Sequence, residues 1–102
     1  MSQADVTVVR IYCSESGGHY RDLLEHLHDK EKVAGVTAFR GIAGFGGSGR
    51  MHEVHLLDVS LDLPIIIEFF DRPERVETIL HDLKDIVPAG HLISWSAKAN
   101  LD

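Results

Sequence analysis

Arg40 and Arg50 bracket a run of glycines, Gly41, Gly44, Gly46, Gly47 and Gly49, and His52, Glu53, His55 and Asp58 follow. Glycine lets a backbone come close to a phosphate and present its N–H groups as an anion nest. Two flanking guanidinium groups add charge-assisted hydrogen bonds to the same anion. A second chemistry is a metal held by His52, His55 and an acid, Glu53 or Asp58. His-x-x-His on an extended segment does not place both rings on one face, because side chains alternate. No cysteine or further histidine cluster completes a ligand set. No metal ligand is therefore assigned, and solvated loop histidines are the default. These histidines titrate near neutrality, so the segment can respond to pH.

Phe45 sits among the glycines, where a plain linker has no use for an aromatic. Phe45, Gly47, Ser48, Gly49 and Met51 are therefore the candidate partner contacts. No catalytic residue is assigned. Ser60 and Ser94 have no motif around them, and no nucleophile has an adjacent base. Glu68 lies in an apolar run and is expected to point into a cleft or to pair with an arginine such as Arg10 or Arg40. His26 and His28 read as surface residues, and Trp95 as core or interface.

The elements that must position these residues follow from periodicity. Asp5 to Cys13 is β-branched and reads as a strand. Thr7, Val9, Ile11 and Cys13 are expected to face the core, and Val6, Val8, Arg10 and Tyr12 the other side. Tyr20, Leu23, Leu24 and Leu27 recur at helical spacing from His19, with an end near Val33 to Gly35 and Gly35 as terminator. Val36 to Ile42 is a second strand. A long connection follows over 42–62, in which His55 to Leu61 alternates weakly, as part of a hairpin would. Leu63 to Phe70 is a nearly continuous apolar run, the pattern of a central strand. Pro64 lacks a ladder donor, so pairing there begins late or at an edge. Asp71, Pro73 and Glu74 predict a capped helix start. Val76, Ile79, Leu80, Leu83 and Val87 form its apolar stripe, and Pro88-Ala89-Gly90 stops it. His91 to Lys98 is the last strand.

This order is βαββαβ. It predicts an α+β, ferredoxin-like domain covering 1–102: a four-stranded antiparallel sheet, two helices on one face and a long loop between the second and third strands. The other sheet face would stay uncovered and apolar, which predicts an oligomer packed through it. The chain has 102 residues, 10 of them basic and 16 acidic, for a net charge of −6. An acidic chain without a basic block is unsuited to nucleic acid. No apolar run reaches the ~20 residues of a membrane span. The N-terminus lacks signal-peptide features, and the lone Cys13, expected as a small buried residue, fits a reducing cytoplasm.

The stretches Gly35-Val-Thr-Ala-Phe-Arg-Gly-Ile-Ala-Gly-Phe-Gly46 and Asp62-Leu-Pro-Ile-Ile-Ile-Glu68, with His52 after Gly44-Phe45-Gly46, resemble the PII superfamily. More narrowly, the chain resembles the PII-like family known as domain of unknown function 190. The resemblance implies a homotrimer with clefts between subunits, a flexible effector loop called the T-loop (here 42–62), and an adenine nucleotide as effector rather than a cofactor. It implies a cytoplasmic regulator that docks on a partner, such as a membrane transporter of an inorganic ion like bicarbonate, at the inner membrane face. Carried onto this sequence, the ligand residues are Arg40, Gly41, Gly44, Gly46, Arg50, His52, Gly90 and His91. The last two lie in the loop where PII proteins hold phosphates. That loop is glycine- and lysine-rich in PII, whereas Val87 to His91 has one glycine and no lysine. The long loop has neither lysine nor tyrosine, which excludes tyrosine modification there. So few cations suit AMP, ADP or a cyclic dinucleotide better than ATP. The alternatives are a metal-binding trimer using His52 and His55, and a PII-like protein that has lost its nucleotide.

Overall fold

The computed structural model describes residues 2–15, 19–44, 52–53 and 63–100, with the backbone alone at 52–53. Strand β1 spans Gln3–Ser14, helix α1 spans His19–Glu25 and continues as a π-helical turn over His26–Lys30, and β2 spans Val36–Arg40. Two-residue strands β3 (Ala43–Gly44) and β4 (His52–Glu53) follow, then β5 (Pro64–Asp71), α2 (Pro73–Leu83) and β6 (Leu92–Asn100). The main sheet has the order β2-β5-β1-β6, antiparallel throughout. This is the ferredoxin-like arrangement. Among the described residues, no helix is long and apolar enough to cross a membrane.

The core lies between the sheet and both helices. The odd-numbered residues of β1 and β5 share one sheet face, and Val9, Ile11, Ile65, Ile67 and Phe69 on it are buried. Leu23 and Leu27 of the first helical segment, with Val76, Ile79 and Leu83 of α2, close over them. Each such side chain contributes roughly 1.5–3 kcal/mol by leaving water. Cys13 packs at the edge of this cluster.

The opposite face carries three rows across the strands. Phe70, Val8 and Trp95 form one, Thr37, Glu68, Arg10 and Ile93 the next, and Phe39, Ile66 and Tyr12 the third. Tyr12, Phe39, Phe70, Ile93 and Trp95 are 39–48% exposed. The long apolar run is thus central in the sheet, but only its core-facing side is buried within one chain. Val6 departs from the expected open face: it is 2% exposed and lines a recess with Ala34, Phe70, Asp71 and Arg72 at that end of the sheet.

Three boundaries also differ from the expectation. The first helical segment ends at Lys30, and the residue with left-handed backbone is Lys32 (φ +54°), not Gly35. The turn is held by side-chain bonds instead, one local and one tertiary: the His26 ring bonds the Glu31 carboxylate at 2.7 Å, and Arg75 donates to the Glu31 carbonyl. His26 is therefore no simple surface residue, whereas His28 is well exposed. At α2 the N-cap is Arg72, without a side-chain cap. Asp71 still pairs with Thr7 in the ladder, one position too early, and its carboxylate accepts from the Arg72 N–H at 2.7 Å. Helix α2 stops at Leu83, and Lys84 to Ile86 form a turn ahead of Pro88, which disfavours helical backbone just before it.

Candidate functional site

Both loops that carry the candidate ligand residues leave the same end of the sheet. Strand β1 ends there at Ser14, β2 at Arg40, and β5 and β6 begin there. The long connection hangs from the β2 edge, and the Gly90–His91 loop from the β6 edge. Three strand spacings separate these edges, about 14 Å. In one chain the two loops therefore border different sides of the sheet end.

At the β2 edge, the Gly41 N–H donates to the Pro64 carbonyl at 2.7 Å and prolongs the ladder by one bond. Pro64 itself is the first residue of β5, a position that tolerates its missing N–H. A Cβ on Gly41 would fall 2.6 Å from Pro64 Cγ, and one on Gly44 would fall 3.3 Å from the same atom. Both glycines thus clear room for the proline ring. Strands β3 and β4 pair Ala43 with Glu53 and Gly44 with His52, so the connection starts as a narrow ribbon. Phe45, Gly46, Gly47, Ser48, Gly49, Arg50 and Met51 lie outside the described residues, as do His55, Asp58 and the weakly alternating 55–61.

Arg40 ends β2 and is ion-paired with Glu15. Glu15 lies just past β1, and its N–H donates to the Leu63 carbonyl at 2.9 Å. Sequence reasoning missed Glu15, because only the strand register brings it to Arg40.

At the β6 edge, Pro88 to His91 form a turn closed by the His91 N–H on the Pro88 carbonyl at 3.2 Å. Gly90 has φ +82°, the backbone that glycine adopts readily in the third position of a type II turn. The His91 carbonyl accepts the Tyr12 N–H at 2.8 Å, and His91 Nδ1 lies 3.1 Å from the Tyr12 carbonyl, to which it donates when it carries the proton. Gly90 borders an open recess of about 240 Å³ lined also by Leu80, Val87, Leu92 and Lys84. The loop lacks lysine, yet Lys84 reaches the same recess from the end of α2.

On the open sheet face, Arg10 donates to one Glu68 oxygen from Nε at 3.0 Å and from Nη2 at 2.6 Å. Its guanidinium carbon lies 5.4 Å from the Trp95 ring centroid, within cation–π range. The hydrogen bond to Glu68 raises the Arg10 pKa above its ordinary value. Glu68 therefore pairs with Arg10 of the two expected arginines. Among the described residues, no group of three His, Cys, Asp or Glu side chains is placed to hold a metal.

A sheet of this order, with two loops leaving one end, defines a ferredoxin-like α+β domain. A sequence profile of the family DUF190, described as "Uncharacterized ACR", matches residues 6–99, and the chain belongs to that family. A UPF0166 protein of Methanocaldococcus jannaschii is 30% identical over 91 residues, 84% of this chain and 82% of that one. A UPF0166 protein of Aquifex aeolicus is 29% identical over 82 residues, 76% of this chain and 77% of its own. Among solved structures, CPII, a nitrogen regulatory PII-like protein from Thiomonas intermedia K12 bound to ADP, AMP and bicarbonate, has a TM-score of 0.67 at 21% identity, covering 96% of this chain and 89% of that one. At that identity the likeness carries the fold.

Proposed function

We propose that this chain is a non-enzymatic, PII-like regulator. It assembles as a homotrimer and binds an adenine nucleotide between subunits. Through the 42–62 loop it acts on a membrane transporter of an inorganic ion such as bicarbonate, which draws it from the cytoplasm to the inner membrane face. The observation that carries this reading is the placement of the two candidate loops at one sheet end but on opposite edges. A ligand that needs both must sit between the β2 edge of one copy and the β6 edge of the next. Head-to-tail contacts of that kind close into a ring when the rotation between copies is a third of a turn. The exposed aromatic face of the sheet gives the ring an apolar interior to bury. The nucleotides and bicarbonate bound to CPII point to the ligand class.

In this reading Arg40 and Arg50 hold phosphate, with the backbone of Gly41, Gly44 and Gly46. Gly90, His91 and Lys84 of the neighbouring copy complete the cleft, and His52 lies beside it. Phe45, Gly47, Ser48, Gly49 and Met51 present the loop to the partner. The test is light scattering together with calorimetric titration by ADP and AMP, with and without bicarbonate. A mass three times the 11.3 kDa of one chain and saturable binding without turnover are expected. Arg40→Ala should weaken binding roughly ten-fold or more, as loss of a charged hydrogen bond does. A monomer would sink the reading, and a trimer that binds neither nucleotide would remove the ligand from it.

A further inference from the structure

Arg40 has a partner within its own chain. Its guanidinium is bound to the Glu15 carboxylate. The same residue's N–H donates to the Leu63 carbonyl at 2.9 Å. Arg40 is the last residue before the long connection leaves, and Leu63 the last before β5 resumes. One residue past the end of β1 therefore ties both roots of the connection together, by side chain at one root and by backbone at the other. The Arg40 side chain remains 60% exposed while that of Glu15 is 28% exposed, so an anion from solvent reaches the arginine without first moving the strands.

We infer that Glu15 is a built-in competitor for Arg40, whose carboxylate holds the guanidinium in the free protein and yields it to the phosphates of an arriving nucleotide. The inference rests on the nucleotide reading above and adds a specificity-determining residue to it. A carboxylate left beside a bound phosphate is a like-charge contact that opposes binding. A ligand that takes the Nη2 donor takes it from Glu15, and the side-chain half of the clasp across the loop roots opens with it. The backbone half, Glu15 to Leu63, stays in place. Occupancy of the site is thus linked to the β2 root of the connection without any movement of the core. The competitor also sets a selectivity. An anion that offers one carboxylate merely replaces Glu15 in kind, whereas a diphosphate brings more charge and more acceptors to the same guanidinium.

The test is calorimetric titration of the full chain with ADP, in the wild type, Glu15→Gln, Arg40→Gln and the double variant. Glu15→Gln keeps the backbone bond and the shape of the side chain, and Glu15→Ser serves as a second variant if the first does not fold. Removing an exposed ionic competitor should tighten ADP binding about two- to five-fold. The gain should vanish on the Arg40→Gln background, where there is no guanidinium to release. If the wild type binds ADP and Glu15→Gln binds it equally or more weakly, the competitor is overturned and the nucleotide site stands. If only Glu15→Gln binds ADP, the competitor is supported and holds the site shut. If neither binds, the nucleotide reading and the competitor fall together.

Discussion

The ring of Pro64 occupies the space that a side chain on Gly41 would need, with Cγ 2.6 Å from where a Cβ would fall. The neighbouring backbones are joined by the 2.7 Å bond from the Gly41 N–H to the Pro64 carbonyl. The two roots of the long connection are therefore in close contact at the rim of the sheet. Gly41→Ala pushes against a ring in a closed five-membered cycle, which cannot swing aside like a flexible chain end. It should cost about 1–3 kcal/mol, the range of overpacking. Urea unfolding of Gly41→Ala, Pro64→Ala and the double variant measures this. The double variant should recover most of the loss, because the two changes meet at one contact. An unchanged midpoint for Gly41→Ala would show that the rim gives way freely.

Glu31 is the buried charged residue among those described, 7% exposed, and the His26 ring meets its carboxylate at 2.7 Å. His26→Ala leaves that carboxylate short of a donor inside the protein, at a cost of about 1–3 kcal/mol. His26→Gln returns an N–H near the same place and should recover part of the stability. Denaturant midpoints for the two variants decide the point: equal losses in both would mean that His26 acts by ring packing alone.

Periodicity captured the layers of this fold and missed its joints. The stripe Val76, Ile79 and Leu83, and the alternation of Val9 and Ile11, state in the sequence which side is inside. They are local repeats that survive without knowledge of a partner. The capping box failed because Asp71 stays in the sheet, a fact set by Thr7 more than sixty residues away. The end of the first helical segment failed for the same kind of reason, since His26, Glu31 and Arg75 fix it through contacts that no spacing rule encodes. Of the candidate site, Arg40, Gly41, Gly44, Gly90 and His91 come to one end of the sheet. Glu15 and Lys84 join them there only through register and the turn after α2. Gly41 and Gly44 also acquire a steric role that an anion nest does not require.

Burial pushes the Cys13 thiol above its ordinary value. The folded state then holds the thiol proton more tightly than the unfolded state does. This stabilisation is complete below the ordinary thiol range and is lost as pH rises through the folded value. Native protein at about pH 8, where free thiols react readily, should alkylate more slowly than denatured protein. Stability measured from neutral to alkaline pH should fall less steeply in Cys13→Ser than in the wild type. Equal alkylation of native and denatured chains would place Cys13 in water.

Phe70 and Trp95 flank Val8 in one row of the open face, and Glu68, Arg10 and Ile93 form the row beside it. Within a single chain this face leaves large aromatic side chains 41–48% exposed, whereas the other sheet face buries Val9, Ile11, Ile67 and Phe69 at its centre. An apolar face of this kind marks an interaction surface, and an ion pair at its centre supplies orientation rather than adhesion. If copies of the chain cover it, a charge placed there acts on assembly before it acts on the fold, because Phe70 and Trp95 contribute nothing to the core between sheet and helices. Phe70→Glu and Trp95→Glu should each reduce the mass seen by light scattering to that of one 11.3 kDa chain while the circular dichroism of the fold persists. Ile86→Glu, a charge on a side chain 50% exposed after α2 and away from the face, should leave the assembly intact. Assembly that survives both face variants would mean that copies meet through the β2 and β6 edges alone, with the aromatic face turned to solvent or to another partner.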